Sequence, residues 1–489
     1  MKMNYRTGLF LLMLVFLFTA CKQSNSVEEV KPTKPNVIYI LADDLGYGDL
    51  GCYGQKKFET PNIDKLAAHG IKFTQHYSGS TVCAPSRSSL LSGEHTGHTY
   101  IRGNKEYMPE GQEPLADSVF TIAELMKQAG YTTGAFGKWG LGFVGTEGDP
   151  NNQGFDEFYG YNCQRQAHRY YPEYLWHNNE KVHLEGNDLS NTVTYAQDVI
   201  QDEIIKYLEN NKDTSFFLFL PYVVPHAEML VPNDSILQKF MGKYKEEPFV
   251  AKEGGDYGPG MKIGMYCSQE HPFATFAAMV TRLDIYVGQI VEKLEQLGIA
   301  DNTIIMFTSD NGPHNEAGAK PKYFNSNGGL RGKKRDLYEG GIRVPFIVSW
   351  PGKIKEAKVS DHISAFWDVM PTLAEVGNVQ IPGHTDGVSF LPTLLGSVEQ
   401  PKHEYLYWEF HEMGGRQAVR KGDWKAVRLK VQKNPNRPVQ LYNLADDPKE
   451  KNNVAKEHPE IAKELAGIMA KSRTNSAIFN FGSSTFKGE

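Results

Sequence analysis

Two strings end an apolar run on neighbouring acids. Residues 37–42 (VIYILA) lead into Asp43-Asp44-Leu45-Gly46, and residues 304–309 (IIMFTS) lead into Asp310-Asn311-Gly312-Pro313. Carboxylates this close repel one another unless a cation sits among them. Together Asp43, Asp44, Asp310 and Asn311 offer an all-oxygen donor set, which suits Ca²⁺ or Mg²⁺ better than zinc. Each pair read alone is an ordinary turn, since Asp and Asn favour turns and a glycine follows. Their shared position at strand ends points to a site, because ligands of open α/β sheets bind beyond the carboxyl ends of strands. A third string, STVCAPSRSSLLSG at residues 80–93, sets Cys83 ahead of a short helix read over residues 88–92 and closed by Gly93. Free N–H groups and the helix dipole there favour an anion or a developing oxyanion. Arg87 adds a planar fork of donors. By itself a free cysteine is as readily a buried structural residue.

Several other chemistries are excluded. Gly46, Gly48 and Gly51 fit G-x-G-x-x-G after a strand, but the following CYGQKKFETPN has no helical stripe, so a dinucleotide site is not expected. No P-loop, H-E-x-x-H or G-x-S-x-G string occurs in the sequence. The formal net charge is -6 and no long basic run appears, which argues against a nucleic-acid groove. Five cysteines are too few for a disulfide framework, and no bridge follows for Cys52, Cys163 or Cys267.

The elements that must position these residues read as a layered α/β fold with a large, mainly parallel sheet. Residues 37–41, 216–220, 304–307 and 344–349 are continuous apolar strands. Helices lie between them. One spans residues 121–129, with Thr121 and Glu124 as a capping box, and another spans residues 283–297, ended by Gly298. Near residue 390 the texture changes. Residues 404–410, 417–420, 424–428 and 439–443 are short and aromatic or β-branched, which predicts a small antiparallel sheet, followed by a helix over residues 459–471. The expected organisation is a signal segment (1–21), a polar linker (22–34), a catalytic domain (35–390) and a C-terminal subdomain (391–489). In the signal segment Lys2 and Arg6 precede an apolar run over residues 8–20, shorter than the ~20 residues a spanning helix needs. Its end, Leu17-Phe18-Thr19-Ala20-Cys21, resembles a bacterial lipobox, with Phe18 where that motif prefers Leu. The expectation is export to the periplasm or cell surface with a lipid anchor at Cys21.

Cys83-Ala84-Pro85-Ser86-Arg87, followed by Ser-Ser-Leu-Leu-Ser-Gly, resembles the C-x-P-S-R signature of type I sulfatases, members of the alkaline phosphatase-like superfamily. Further likenesses follow in family order: Asp43 to Gly46, Gly137-Lys138-Trp139, Pro225-His226, Asp310 to Gly312, and RGKKRDLYEGGIR at residues 331–343. The resemblance implies that a maturation enzyme converts Cys83 to formylglycine, whose hydrate attacks sulfur. It implies a cation held by Asp43, Asp44, Asp310, Asn311 and residue 83. It further implies that Arg87 fixes the nucleophile, that Lys138 and Lys334 hold the sulfate, and that His226 protonates the leaving oxygen. Lys334 is chosen over Lys333 because the family lysine lies three residues after Arg331 and four before Tyr338. One departure stands out. Where many sulfatases continue Gly-Lys-Trp with His, this chain has Gly140, so His168 and His314 become candidate replacements.

The stretch at residues 145–176 is rich in aromatics, amides and cations, which can stack and bind sugars, though aromatics more often build core. The likeness to bacterial polysaccharide sulfatases implies a sulfated saccharide, galactose or N-acetylgalactosamine, with the ester at O4. His168 and His411 are candidate substrate contacts, and Glu412 and Arg416 lie beside the latter. Two other readings are a phosphomonoester or phosphonate-ester hydrolase of the same superfamily, and a non-catalytic glycan-binding lipoprotein. Turnover on sulfate against phosphate esters separates the first, and the chemical state of residue 83 bears on the second.

Overall fold

Eleven strands build the main sheet: β1 (Asn36–Ala42), β2 (Ile71–Tyr77), β3 (Thr132–Lys138), β4 (Glu157–Tyr161), β5 (Tyr174–His177), β6 (Glu180–His183), β7 (Phe216–Pro221), β8 (Thr303–Ser309), β9 (Arg343–Ser349), β10 (Lys358–Ser360) and β11 (Ser364–Ala365). This computed structural model describes residues 34–355 and 357–479. The signal segment, and the linker apart from Lys34, lie outside the described residues. The strand order is β10-β2-β9-β8-β1-β7-β3-β4-β5-β6, with β11 beside β2. Neighbours β8, β1, β7, β3 and β4 run parallel. Strand β9 is antiparallel to both β2 and β8, so β2 points the same way as the central group. The expected mainly parallel sheet is therefore present, with one reversed strand inside it and a hairpin, β5–β6, at its edge.

The central strands β1, β7 and β8 are buried along their whole length because both faces of the sheet are covered there. Along β1 the side chains alternate between two cores. Ile38 and Ile40 pack with Ile200 and Ile204 of the helix Ala196–Asn210 and with Met279 and Leu283 of the helix Pro272–Gln296. Val37, Tyr39 and Leu41 pack with Leu90, Leu125 and Leu373 from the helices Cys83–Ser92, Ile122–Gln128 and Val369–Gly377. The capping box of Thr121 and Glu124 forms as the sequence predicts.

Two helices differ from their sequence reading. The helix expected at residues 283–297 starts at Pro272, because its first half (PFATFAAMVTR) is buried on every side and shows no amphipathic stripe. The short helix expected over residues 88–92 starts at Cys83 instead. Cys83 is thus its first residue, and Pro85 sits in the first turn, where its missing N–H costs nothing.

The second sheet is antiparallel in the order β12 (Leu406–Phe410), β13 (Arg416–Lys421), β14 (Trp424–Leu429) and β15 (Gln440–Asn443). The helix Pro459–Lys471 covers one face with Leu465 and Met469. The other face is continuous with the main body, where Trp408, Ala418 and Val427 share a core with Tyr77, Val82 and Trp367. Buried charge reinforces the join, with Lys425 placed between Glu339 (2.8 Å) and Glu450 (3.1 Å). Among the described residues no helix is long and apolar enough to cross a membrane.

Candidate active site

The carboxyl ends of β1, β8, β3 and β7 lie side by side, and the chain delivers functional groups from each. Asp43 and Asp44 follow β1, Asp310 follows β8, Lys138 ends β3, and His226 comes shortly after β7. Cys83 arrives from the connection after β2, at the start of its helix. Parallel neighbours are what make this convergence possible, since all their carboxyl ends face one way.

Arg87, Lys138, Lys334, Asp43, Asp44 and Asp310 are all at most 5% exposed, which sets three cations against three carboxylates. Cys83 Sγ is 3.2 Å from Asp43 Oδ1 and 3.5 Å from Lys138 Nζ. Lys138 Nζ also meets Asp43 Oδ2 at 2.5 Å. Arg87 grips Asp310 Oδ2 through Nε (3.2 Å) and Nη2 (3.0 Å), reaches Asp43 at 3.4 Å, and donates to the Lys138 carbonyl. Lys334 Nζ is 2.8 Å from Asp44 Oδ2 and 3.0 Å from His226 Nε2. Asn311 donates to Asp44 Oδ1 at 2.6 Å. Asp44 itself has φ of 63°, a left-handed conformation that Asp tolerates better than most residues.

The electrostatics fit a cation among these carboxylates. Burial raises Asp43, but Lys138, His226 and Arg87 outweigh it and hold its carboxyl far below the usual range. Asp310 goes the other way: burial first, then the charge of Asp43, push it up to about 7. Asn311 Oδ1 is a buried acceptor with no hydrogen-bond partner. An unpaired acceptor beside a carboxylate that resists ionising fits an oxygen-binding divalent ion, which would satisfy the first and ionise the second. Asp43, Asp44, Asp310 and Asn311 would hold it, with residue 83 alongside. Burial, then Asp43, raises the Cys83 thiol, so in this pocket it is no ready thiolate.

His226 Nδ1 faces the Ala227 carbonyl, which leaves Nε2 toward Lys334. Burial and Lys334 depress its pKa, so it is neutral as placed. His168 stacks on it, with ring centroids 5.2 Å apart and planes within 11°, and His168 Nδ1 is 3.1 Å from the Gly264 carbonyl. His314 stacks on the His226 ring too, at 5.7 Å. Both candidate replacements for the absent histidine therefore sit on the His226 side. At Gly140 itself φ is +79°, and a Cβ there would lie 3.2 Å from Gln164 Cγ. The Gln164 amide reaches Asn104 Oδ1 at 3.3 Å, and that same oxygen accepts the Ala84 N–H at 3.2 Å. A polar amide pair thus fills the space beside residue 140, next to the start of the helix Cys83–Ser92.

Sequence reading missed Glu316. Its carboxylate is 3.6 Å from Lys334 Nζ, 3.9 Å from His226 Nε2 and 2.7 Å from Arg335, and it accepts from Tyr266 Oη at 3.1 Å. The only signal was its place two residues after His314. Other expected contacts are differently engaged. His411 Nε2 is 2.8 Å from Glu409, a carboxylate also bound by Arg102 (3.3 Å) and Arg473 (2.9 Å). Arg416 pairs with Asp336 and the Arg335 carbonyl, bracing the loop that carries Lys334. Glu412 lies near Arg335. Of the aromatics at residues 145–176, Phe155, Phe158, Tyr159, Tyr161, Tyr170 and Tyr171 are buried core. Most of that stretch builds the fold and presents no sugar platform.

Comparison with known proteins places this geometry. The family model described as sulfatase matches residues 35–379, and that described as N-sulphoglucosamine sulphohydrolase, C-terminal, matches residues 332–475. The chain is 32% identical to an N-acetylgalactosamine-6-O-sulfatase of Bacteroides thetaiotaomicron, covering 94% of this chain and 97% of that one. It is 30% identical to the human N-acetylgalactosamine-6-sulfatase, over 74% of this chain and 66% of the relative. The crystal structure of Ps i-CgsB in complex with k-i-k-neocarrahexaose superposes with a TM-score of 0.72 at 28% identity, covering 88% of this chain and 91% of that one.

Proposed function

This chain belongs to the sulfatase family and hydrolyses sulfate esters, and from that premise we propose that it desulfates galactose or N-acetylgalactosamine residues of a glycan through an oxidised Cys83 and a bound Ca²⁺. The observation that carries the reading is the buried pocket of three acids, three cations and Cys83 at adjoining strand ends. In it the Cys83 thiol stands in for the hydrated aldehyde that a maturation enzyme would leave there. One hydroxyl of that diol attacks sulfur, and the other later collapses to the aldehyde and expels sulfate. The cation, when bound, neutralises charge on a sulfate oxygen and lowers the pKa of the diol.

The residues of the chain supply the rest. Arg87, anchored on Asp310, holds the start of the nucleophile helix against the pocket. Lys138 and Lys334 now rest on Asp43 and Asp44; with those carboxylates committed to a cation, both ammonium groups are free to turn onto sulfate oxygens. His226 Nε2, 3.0 Å from the Lys334 ammonium, is placed to take its proton and pass it to the departing sugar oxygen. Glu316 holds both groups from the other side. His168, stacked on His226, fixes the ring of the acid. His168→Ala is expected to lower kcat by about 10- to 100-fold with little change in KM. Full turnover in that variant removes His168 from the mechanism.

The relatives support a galactose-configured sugar, and the two named above carry O6 in their names, whereas the sequence likeness suggested O4. Sulfate release is measured on 4- and 6-sulfated galactose and N-acetylgalactosamine, on sulfated glucosamine, and on matching phosphate esters. The reading expects the best galacto-configured sulfate to exceed its phosphate analogue by at least about 10³-fold in kcat/KM. A preference for phosphate, or for the gluco sugar, contradicts it. Export and lipid attachment at Cys21 complete the proposal, placing the enzyme where extracellular glycans arrive.

A further inference from the structure

A second cluster of metal-ligating side chains lies at the opposite end of the helix that begins with Cys83. That helix closes at Gly93, and the chain then turns through His95 and His98, whose rings stack 4.3 Å apart. A distant segment is clamped onto this turn. Thr385 Oγ1 and the Asp386 N–H both donate to the Gly93 carbonyl, at 2.7 and 3.0 Å. The Asp386 carboxylate accepts the His95 N–H at 2.9 Å.

Three imidazoles converge on that carboxylate. His98 Nδ1 is 2.9 Å from both of its oxygens, His384 Nε2 is 3.0 Å from Oδ1, and His95 Nδ1 is 3.6 Å from Oδ2. The last contact is the informative one. The Gly97 N–H donates to His95 Nδ1 at 3.1 Å, which marks that nitrogen as a lone-pair acceptor. A nitrogen lone pair and a carboxylate oxygen then face each other with no proton between them. That pairing is repulsive unless a cation joins it.

The spacing and the donor chemistry both specify the cation. Zn–N bonds of roughly 2.0–2.1 Å in a tetrahedron put ligand atoms about 3.3 Å apart, and His98 Nδ1 and His95 Nδ1 lie 2.9 and 3.6 Å from the Asp386 oxygens. Imidazoles with one carboxylate favour zinc and its first-row neighbours over calcium, in contrast to the all-oxygen set of the catalytic pocket. We propose that His95 Nδ1, His98 Nδ1 and the Asp386 carboxylate form a zinc site, with water in the fourth position and His384 holding the carboxylate, that pins the loop at residues 384–387 to the carboxyl end of the helix Cys83–Ser92. The ion takes the His95 lone pair that the Gly97 N–H now shares. The site is independent of the catalytic pocket and of its substrate.

The test uses untagged full-length protein, stripped with a chelator and then saturated with Ca²⁺ so that the oxygen site is filled. Co²⁺ and Zn²⁺ are titrated in. The expected result is one equivalent bound per chain, with the strong visible absorption of four-coordinate Co²⁺, bleached by Zn²⁺. His98→Ala is expected to weaken binding by at least about 100-fold, and the more exposed His384→Ala by about 10-fold. Asp310→Asn, in the catalytic pocket, leaves the titration unchanged. Zinc also raises the melting temperature of the wild type and not that of His98→Ala. A folded wild type that gives no tetrahedral Co²⁺ spectrum overturns the proposal. So does binding that survives His98→Ala or disappears with Asp310→Asn.

Discussion

Cys83→Ala lowers sulfate release by at least about 10⁴-fold, a loss of about 5.5 kcal/mol of transition-state stabilisation. Removing a nucleophile leaves only binding and electrostatic preorganisation to act. The protein itself survives the change. Alanine keeps the helix start, and Arg87 remains tied to Asp310 and to the Lys138 carbonyl. Circular dichroism and melting temperature therefore stay close to those of the wild type. Cys83→Ser is more telling. A serine oxygen presented to the same lysines can accept the sulfuryl group but has no second hydroxyl to expel it. That variant turns over once and then carries the mass of one added SO₃, read by intact mass spectrometry. Multiple turnovers in Cys83→Ser are incompatible with elimination from a diol.

The second large effect follows from Asp310. In the metal-free protein its carboxyl is pushed up to about 7 by burial and by Asp43. A pKa raised above its unfolded value means that the protonated form stabilises the fold. That contribution is complete below about pH 4 and fades as the pH rises through about 7. Measured against Asp310→Asn, the metal-free wild type is accordingly expected to lose stability between pH 5.5 and pH 8, while the depressed imidazoles of His76, His95, His168 and His226 favour the fold as the pH rises in both proteins alike. Ca²⁺ should reverse the trend, because the ion favours the ionised carboxylate, and at a hundred times its Kd it adds about 2.7 kcal/mol. Asp310→Asn removes a charged ligand and the charge partner of Arg87. It is expected to weaken Ca²⁺ binding by at least about 100-fold, to abolish turnover, and to remove this group's share of the pH dependence of the metal-free melt. Thermal melts at several pH values, with and without Ca²⁺, check all three. A metal-free Asp310→Asn variant whose melting temperature follows pH just as that of the wild type does contradicts the argument.

Much of this pocket was legible because its residues sit where regular structure stops. Asp43, Asp310 and Lys138 lie at or just beyond strand ends, and the strands announce themselves as short apolar runs bounded by turn residues. The second sheet was legible for the same reason, strand by strand. What stayed hidden depends on irregular chain or on uniform burial. Glu316 and Tyr266 lie outside helices and strands, and only the folded chain brings them to His226 and Lys334. The first half of the helix Pro272–Gln296 has no polar face, so no periodicity marks its beginning. The aromatic stretch before Trp176 looked like a sugar platform because composition cannot distinguish an exposed ring from a buried one. His411 pairs with Glu409, a partner two residues away whose burial no local pattern reveals. The His95, His98 and Asp386 cluster joins segments 288 residues apart, and only coordinates could unite them.

The most direct test of the account is the mass of the proteolytic peptide that contains residue 83, taken from enzyme that is active on a sulfated saccharide. The account predicts an aldehyde, trapped as a hydrazone by a hydrazide reagent, in a fraction that tracks specific activity from one preparation to the next. A peptide that still carries the free thiol throughout fully active enzyme would contradict it.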